Sequence, residues 1–174
     1  MPELVRPTVG LRESFLGALD EWGWKYQDGT GIRDAELLRC ESGFARWVDA
    51  LLAEETQPWT PGYVACSYYW IVEEGEFAGA IALRHELTEH LLTSGGHVGY
   101  SVRPSRRRRG LATFALREII PIARERGMGP LLLTCAEDNV ASRKVIRANG
   151  GIYEDTRFGP DGRRMMRFWV PTTP

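Results

Sequence analysis

Apolar residues recur along the chain at two spacings, and the places where the period changes mark out the elements. Phe15, Leu16 and Leu19 share one stripe and predict a helix over residues 12–22, with a short strand over 3–7 ahead of it. Gly29, Thr30 and Gly31 signal a turn. Helical spacing returns with Phe44, Trp47, Val48, Leu51 and Leu52, predicting a second helix over 44–54 that Pro58 and Pro61 close off. Residues 64–72, rich in β-branched and aromatic side chains, read as a strand. The polar run Glu73, Glu74, Gly75, Glu76 is a tight turn, so residues 77–84 return as the antiparallel partner.

Gly95 and Gly96 open a further strand that runs through Val102 and ends at Pro104. The strongest helical pattern follows: Leu111, Ala115, Ile119, Ile122 and Ala123 fall on one face over residues 111–126. Pro121 sits inside it and is expected to bend or weaken it. Residues 131–135 are a short apolar run of the kind a strand covered on both faces shows. A helix over 140–149 comes next, with Asp138 or Asn139 as its N-cap and Gly150-Gly151 as its stop. Segments 152–158 and 164–170 then pair across the turn at 159–162. Strand, helices, meander, strand-helix-strand-helix and two closing strands make a mixed α/β architecture.

With 174 residues, 43% of them apolar and 26% charged, the chain suits one domain over residues 1–174. No run approaches the roughly 20 apolar residues of a spanning helix, so no membrane partner is expected. Residues 1–7 carry no hydrophobic signal stretch, which makes the cytoplasm the expected compartment. Cys40, Cys66 and Cys135 are odd in number and form no C-x-x-C pair, so neither a disulfide framework nor a metal site is expected. A net charge of −1 argues against nucleic acid as partner. The positive charge is nevertheless uneven, with Arg106 to Arg109 in one block.

That block lies where chemistry is most legible. An apolar strand over 98–102 passes through a basic, glycine-containing turn into the longest helix. At a helix start several N–H groups lack intrahelical partners and face outward with the positive end of the dipole, which makes an anion site. Gly110 and Ala112 keep the surface low enough for a phosphate to approach the main chain. A solvated arginine loop and a nucleic-acid patch are the competing readings of the same residues.

The run Arg107-Arg108-Arg109-Gly110-Leu111-Ala112 resembles the acetyl-CoA signature Gln/Arg-x-x-Gly-x-Gly/Ala of the GNAT superfamily of N-acetyltransferases. Its context is similar too: the strand ending Tyr100-Ser101-Val102 with Pro104 before it, the long helix after it, and Asn139, Ser142 and Asn149-Gly150-Gly151 downstream. The resemblance spans residues 64–158 well and the first third loosely. Around residues 95–104 it points to a subgroup usually labelled only as predicted acetyltransferases. It implies a mixed, mostly antiparallel central sheet with a splayed parallel strand pair, flanked by helices. It also implies acetyl-CoA as co-substrate and an acceptor amine, small molecule or peptide, that attacks the thioester directly. In that frame residues 1–63 form the acceptor-side wall, 64–158 the acetyl-CoA-binding core and 159–174 the closing strand. A homodimer is compatible with it, and a module that binds or senses acyl-CoA without turnover is the alternative.

Carried over residue by residue, the resemblance implies that the amides around Arg107, Arg108, Arg109, Gly110, Leu111 and Ala112 hold the pyrophosphate. Val102 would offer main-chain hydrogen bonds where two strands splay, and Asn139 and Ser142 would face the pantetheine arm. Acetyl transfer needs a group or water chain to take the amine's proton. His97, on one strand face with Gly99 and Ser101, is the first candidate base, and Glu86 with its neighbour His85 the second. The tyrosine that serves many relatives as general acid falls at Ile146, leaving Tyr153 or Ser142 to protonate the leaving thiolate. Glu137 is expected to be solvated at a strand end. Among the aromatics, Tyr69 and Trp59 are the first candidates for the acceptor pocket.

Overall fold

Alternation along β2 (Cys66–Glu73) sets the two faces of a four-stranded sheet, Tyr68 and Trp70 pointing to one side, Tyr69 and Ile71 to the other. The structure, a computed structural model, describes residues 1–173. β1 (Glu3–Val5), β2, β3 (Glu76–Arg84) and β4 (Val98–Val102) lie in that order, every neighbouring pair antiparallel. A second antiparallel sheet holds β5 (Leu131–Ala136), β7 (Arg164–Val170) and β6 (Ile152–Phe158), in the order β5-β7-β6. The expected mixed α/β architecture is present, divided into two sheets at the boundary between β4 and β5.

One face of the first sheet is covered by α1 (Arg12–Glu21) and α2 (Glu41–Ala53). Phe15 anchors it, with ring centroids 4.6 Å from Phe77 and 5.1 Å from Trp70, all three fully buried. On the opposite face lies α4 (Leu111–Glu125), whose Leu111, Ala115, Ile119 and Ala123 pack on Ile71, Ile81 and Leu83 and on Leu131 and Leu133 of β5. The wholly apolar run of β5 is thereby explained. α4 continues through Pro121 without ending there, because the carbonyl left unpaired is that of the exposed Arg117. α5 (Val140–Ala148) is capped by Asn139, whose Oδ1 accepts from Ser142 N–H at 3.0 Å.

A five-residue helix, α3 (Glu89–Thr93), occupies a stretch whose sequence reads as plain connection. Too short for a helical period, it rests on Thr88, whose side chain accepts from Leu91 N–H at 3.2 Å.

β4 is an edge strand that meets β5 only at its beginning. There His97 N–H donates to Leu132 O at 2.7 Å, and Leu132 N–H donates to His97 Nδ1 at 2.9 Å. Arg103 N–H donates to Ala78 O and Arg84 N–H to His97 O, so the odd-numbered residues of β4 direct their backbone groups at β3. Tyr100 and Val102 consequently face the gap toward β5.

Candidate active site

A cavity of about 590 Å³ fills that gap, bounded by the end of β4, the arginine turn, the first turn of α4 and the start of α5. Gly110 occupies the N-cap of α4 in the left-handed region (φ 78°) and supplies no side-chain cap. The first hydrogen bond into the helix is Phe114 N–H to Gly110 O, so the N–H groups of Leu111, Ala112 and Thr113 have no intrahelical acceptor. Arg108, two residues earlier, is also left-handed (φ 59°), a strain that functional turns commonly carry.

Four adjacent arginines do not make four free charges. Arg106 spans the acidic hairpin turn, with Nη1 at 3.3 Å from Glu73 and 3.1 Å from Glu74, and Nη2 at 2.6 Å from Glu76. Arg109 reaches Glu73 at 3.0 Å. Glu73, Glu74 and Glu76 therefore hold the basic turn in place. Arg107 Nε donates to Val102 O at 3.2 Å, tying the turn to the strand end. Arg108 makes no ion pair among the described residues and stands at the cavity wall with Arg107.

Across the cavity, the Ser142 and Tyr100 hydroxyls lie 2.8 Å apart. Burial pushes the Tyr100 phenol well above its usual range, so it remains protonated. Asn139 also lines the cavity, its carbonyl oxygen already committed to capping α5. Ser101 also lines the cavity, and its buried Oγ has no hydrogen-bond partner among the described residues. Exposed helix-start donors, two available arginines and an orphaned hydroxyl fit an anionic, polar-armed ligand such as a coenzyme A thioester.

The residues expected to move protons are placed differently. His97 does sit where β4 and β5 diverge, but Nδ1 accepts the Leu132 N–H, which puts the ring proton on Nε2. Burial, reinforced by the Arg84 charge, holds its pKa down to about 4. It is neutral at pH 7 with its lone pair engaged, and this geometry leaves no free lone pair for a base. Glu86 is exposed and lines neither this cavity nor the one described next. His85 bonds Ser67 Oγ at 2.8 Å on the opposite face from Arg84. Tyr153, on the outer strand β6, bonds Thr156 Oγ1 at 2.9 Å and also lies outside both cavities. Ile146 is fully buried in the α4 core, and Glu137 pairs with Arg164 at 2.8 Å.

A second cavity, of about 560 Å³, opens on the α2 side of the first sheet. Its lining includes the charged Arg33, Glu54 and Arg84, none of which the sequence singles out, together with His90. Glu54, buried, takes Arg33 in a two-pronged pair (2.6 and 2.8 Å) and accepts from Tyr68 OH at 2.9 Å. Tyr68 lines this cavity, whereas Tyr69 points to the α4 side beneath Arg6. Tyr69 lies outside this cavity because adjacent strand residues face opposite ways. Trp59 stands behind the wall, its ring 4.2 Å from the Arg33 guanidinium and edge-on to Tyr63. Gly29 lets the covering loop lie on β4: a Cβ there would sit 2.5 Å from Gly99 O. The second cavity is thus lined by that loop and by β2 and β3, whereas Tyr100, Ser101 and Val102 of β4 line the first.

Among the described residues, no helix is long and apolar enough to cross a membrane, and no group of three or more His, Cys, Asp or Glu could hold a metal ion.

Similar folds occur in solved acetyltransferases. One, from Salmonella typhimurium, is described as modifying the N-terminal serine of 50S ribosomal subunit protein L7/L12. It is 18% identical, with TM-score 0.67 over 98% of this chain and 94% of that one. RimJ of Mycobacterium smegmatis, solved with a CoA-disulfide, is 20% identical with TM-score 0.70, covering 98% and 81%. The microcin C7 self-immunity acetyltransferase MccE, solved with acetyl-CoA and AMP, is 12% identical with TM-score 0.68, covering 98% and 92%. At these identities the likeness establishes the fold alone. No curated protein sequence matches the chain. The family model of the acetyltransferase (GNAT) domain matches residues 24–152, well over half of the 174, and the protein accordingly belongs to the GNAT acetyltransferase family, enzymes that use acetyl-CoA as co-substrate.

Proposed function

We propose that this N-acetyltransferase acetylates a primary α-amine, carried by a small molecule or a peptide N-terminus. The observation that carries the reading is a helix start with unpartnered donors beside the open end of an edge strand, with a second cavity on the neighbouring strands.

Arg107, Arg108 and the amides from Arg109 to Thr113 would hold the diphosphate, and Val102 N–H with Ser101 Oγ would hydrogen-bond along the arm. Acetyl-CoA supplies an acyl thioester ready for attack. The acceptor enters from the second cavity. An α-amine titrates near 7.7–8, so roughly a tenth of it is already neutral at pH 7 and its last proton can pass to water. A lysine amine, near 10.4, is almost wholly protonated at pH 7 and would need a base to neutralise it, a demand that an α-amine makes far less. The Ser142 hydroxyl, held 2.8 Å from that of Tyr100, would hydrogen-bond the departing thiolate, which takes its proton from the water that accepted the amine's. Compartment and oligomeric state do not enter this reading.

Calorimetric titration with CoA, followed by thiol release across a panel of N-terminal peptides and small amines, tests it. Saturable binding with amine-dependent thiol release is expected. Binding without release for every acceptor between pH 6 and 9 would point instead to a carrier or sensor, and no binding would remove the proposal.

A further inference from the structure

The second cavity carries an unmatched positive charge. Of the two guanidiniums on its walls, Arg33 is fully answered by Glu54, whose oxygens are further committed to Tyr68. Arg84 is part-buried and has no carboxylate partner among the described residues. Its Nη1 donates to the carbonyls of Gly95 and Gly96 at 3.1 and 3.2 Å, which fixes the group rather than neutralising it. The other end reaches β4, where a Cβ on Gly99 would lie 3.3 Å from Nη2. Arg84 therefore stands fixed on the second cavity's wall, beside the strand whose far side faces the first cavity. The exposed Asp28 engages Tyr26 and forms no ion pair with Arg84.

A part-buried guanidinium fixed at a cavity wall without a counter-ion is a ready site for an anion, because a ligand can supply the missing charge. We infer that Arg84 is the specificity residue for an anionic group, carboxylate or phosphate, carried by the acceptor close to its reacting amine. The inference rests on the acetyl-transfer reading and adds the acceptor's charge. The same cation disfavours a second positive charge nearby, which helps keep the attacking amine neutral and excludes polycationic acceptors. The field is felt at His97, where Arg84 adds to the downward push.

The test uses matched acceptors that differ only in charge: a peptide beginning Ser-Asp against one beginning Ser-Asn, and an amino acid against its carboxamide. The first pair reports a peptide acceptor, the second a small molecule. In at least one pair the charged member should have the higher kcat/KM by about tenfold or more, the worth of one hydrogen bond to a charged group. Arg84→Gln should bring that ratio near one while CoA titrates as in the native protein, and Arg84→Lys, which keeps the charge, should retain part of the preference. Native enzyme without preference in either pair, or an Arg84→Gln ratio equal to native, would overturn the inference. A second readout needs no turnover: calorimetry of the N-acetylated Ser-Asp and Ser-Asn peptides with CoA-loaded protein. Binding of the charged product alone, lost in Arg84→Gln, supports the anion subsite, and equal or absent binding of both counts against it. Loss of CoA binding in the native protein would sink the functional proposal itself, a distinguishable result.

Discussion

Gly110 illustrates how one residue can serve backbone and ligand together. Its φ of 78° favours glycine, a Cβ there would meet nothing within 4 Å, and the residue lines the first cavity. Gly110→Asp therefore adds backbone strain and a negative charge where a diphosphate is expected. CoA affinity should fall by about a hundredfold, on the order of two charge-assisted hydrogen bonds, as read by calorimetry; native-like affinity would show that the helix start does not hold the anion. His97 is a contrasting case. Its unfolded pKa is near 6.5 and its folded pKa about 4, so below pH 6.5 the unfolded chain binds a proton that the folded chain refuses. The stability His97 contributes is present above pH 6.5 and is lost as pH falls toward 4. His97→Ala should thus be less stable than native in urea at neutral pH, and the gap should narrow between about pH 6.5 and pH 4. The ascending limb of the kcat/KM profile should keep the same midpoint in this variant, since the amine and not the imidazole titrates there. A displaced midpoint would restore His97 as the base.

Between elements, the main finding is that the hairpin joining β2 to β3 holds the turn before α4. Arg106 and Arg109 are legible as a basic block, but their partners lie 30 to 36 residues earlier, and local sequence reads those glutamates only as a polar turn. Arg106→Ala should release this clamp. Exposed pairs of this kind contribute little singly, so the expected loss in stability is at most about 1 kcal/mol. CoA affinity should fall more visibly, severalfold, because the turn loses its fixed position, although Arg106 is already neutralised by carboxylates. Raised salt should weaken native CoA binding and the clamp together. An Arg106→Ala protein with native CoA affinity would show that the turn holds its shape unaided.

At the scale of the whole molecule, two aromatic and aliphatic cores sandwich the first sheet, and the cavities open where those cores end. Phe15→Ala removes a fully buried ring that touches Phe44, Trp47, Trp70 and Phe77. It should cost about 3–5 kcal/mol in urea unfolding, and the loss should be global because this core joins α1 and α2 to the sheet. A cost below about 1 kcal/mol would mean that the cluster collapses around the vacancy.

What the sequence by itself determined was local: helices from their apolar stripes, the hairpins from their turn residues, and a glycine-opened helix start able to receive an anion. Those features depend on residues within a few positions of one another, where spacing alone dictates geometry. Tertiary structure alone decided the chemistry of the individual side chains. Folding occupied the His97 lone pair with Leu132, buried Ile146, carried Tyr153 and Glu86 away from both cavities, and put Tyr68 rather than Tyr69 on the second cavity's wall. It also left Arg84 without a carboxylate partner among the described residues while satisfying Arg33, since which charge finds a counter-ion depends on residues that meet only after the sheets and helices pack.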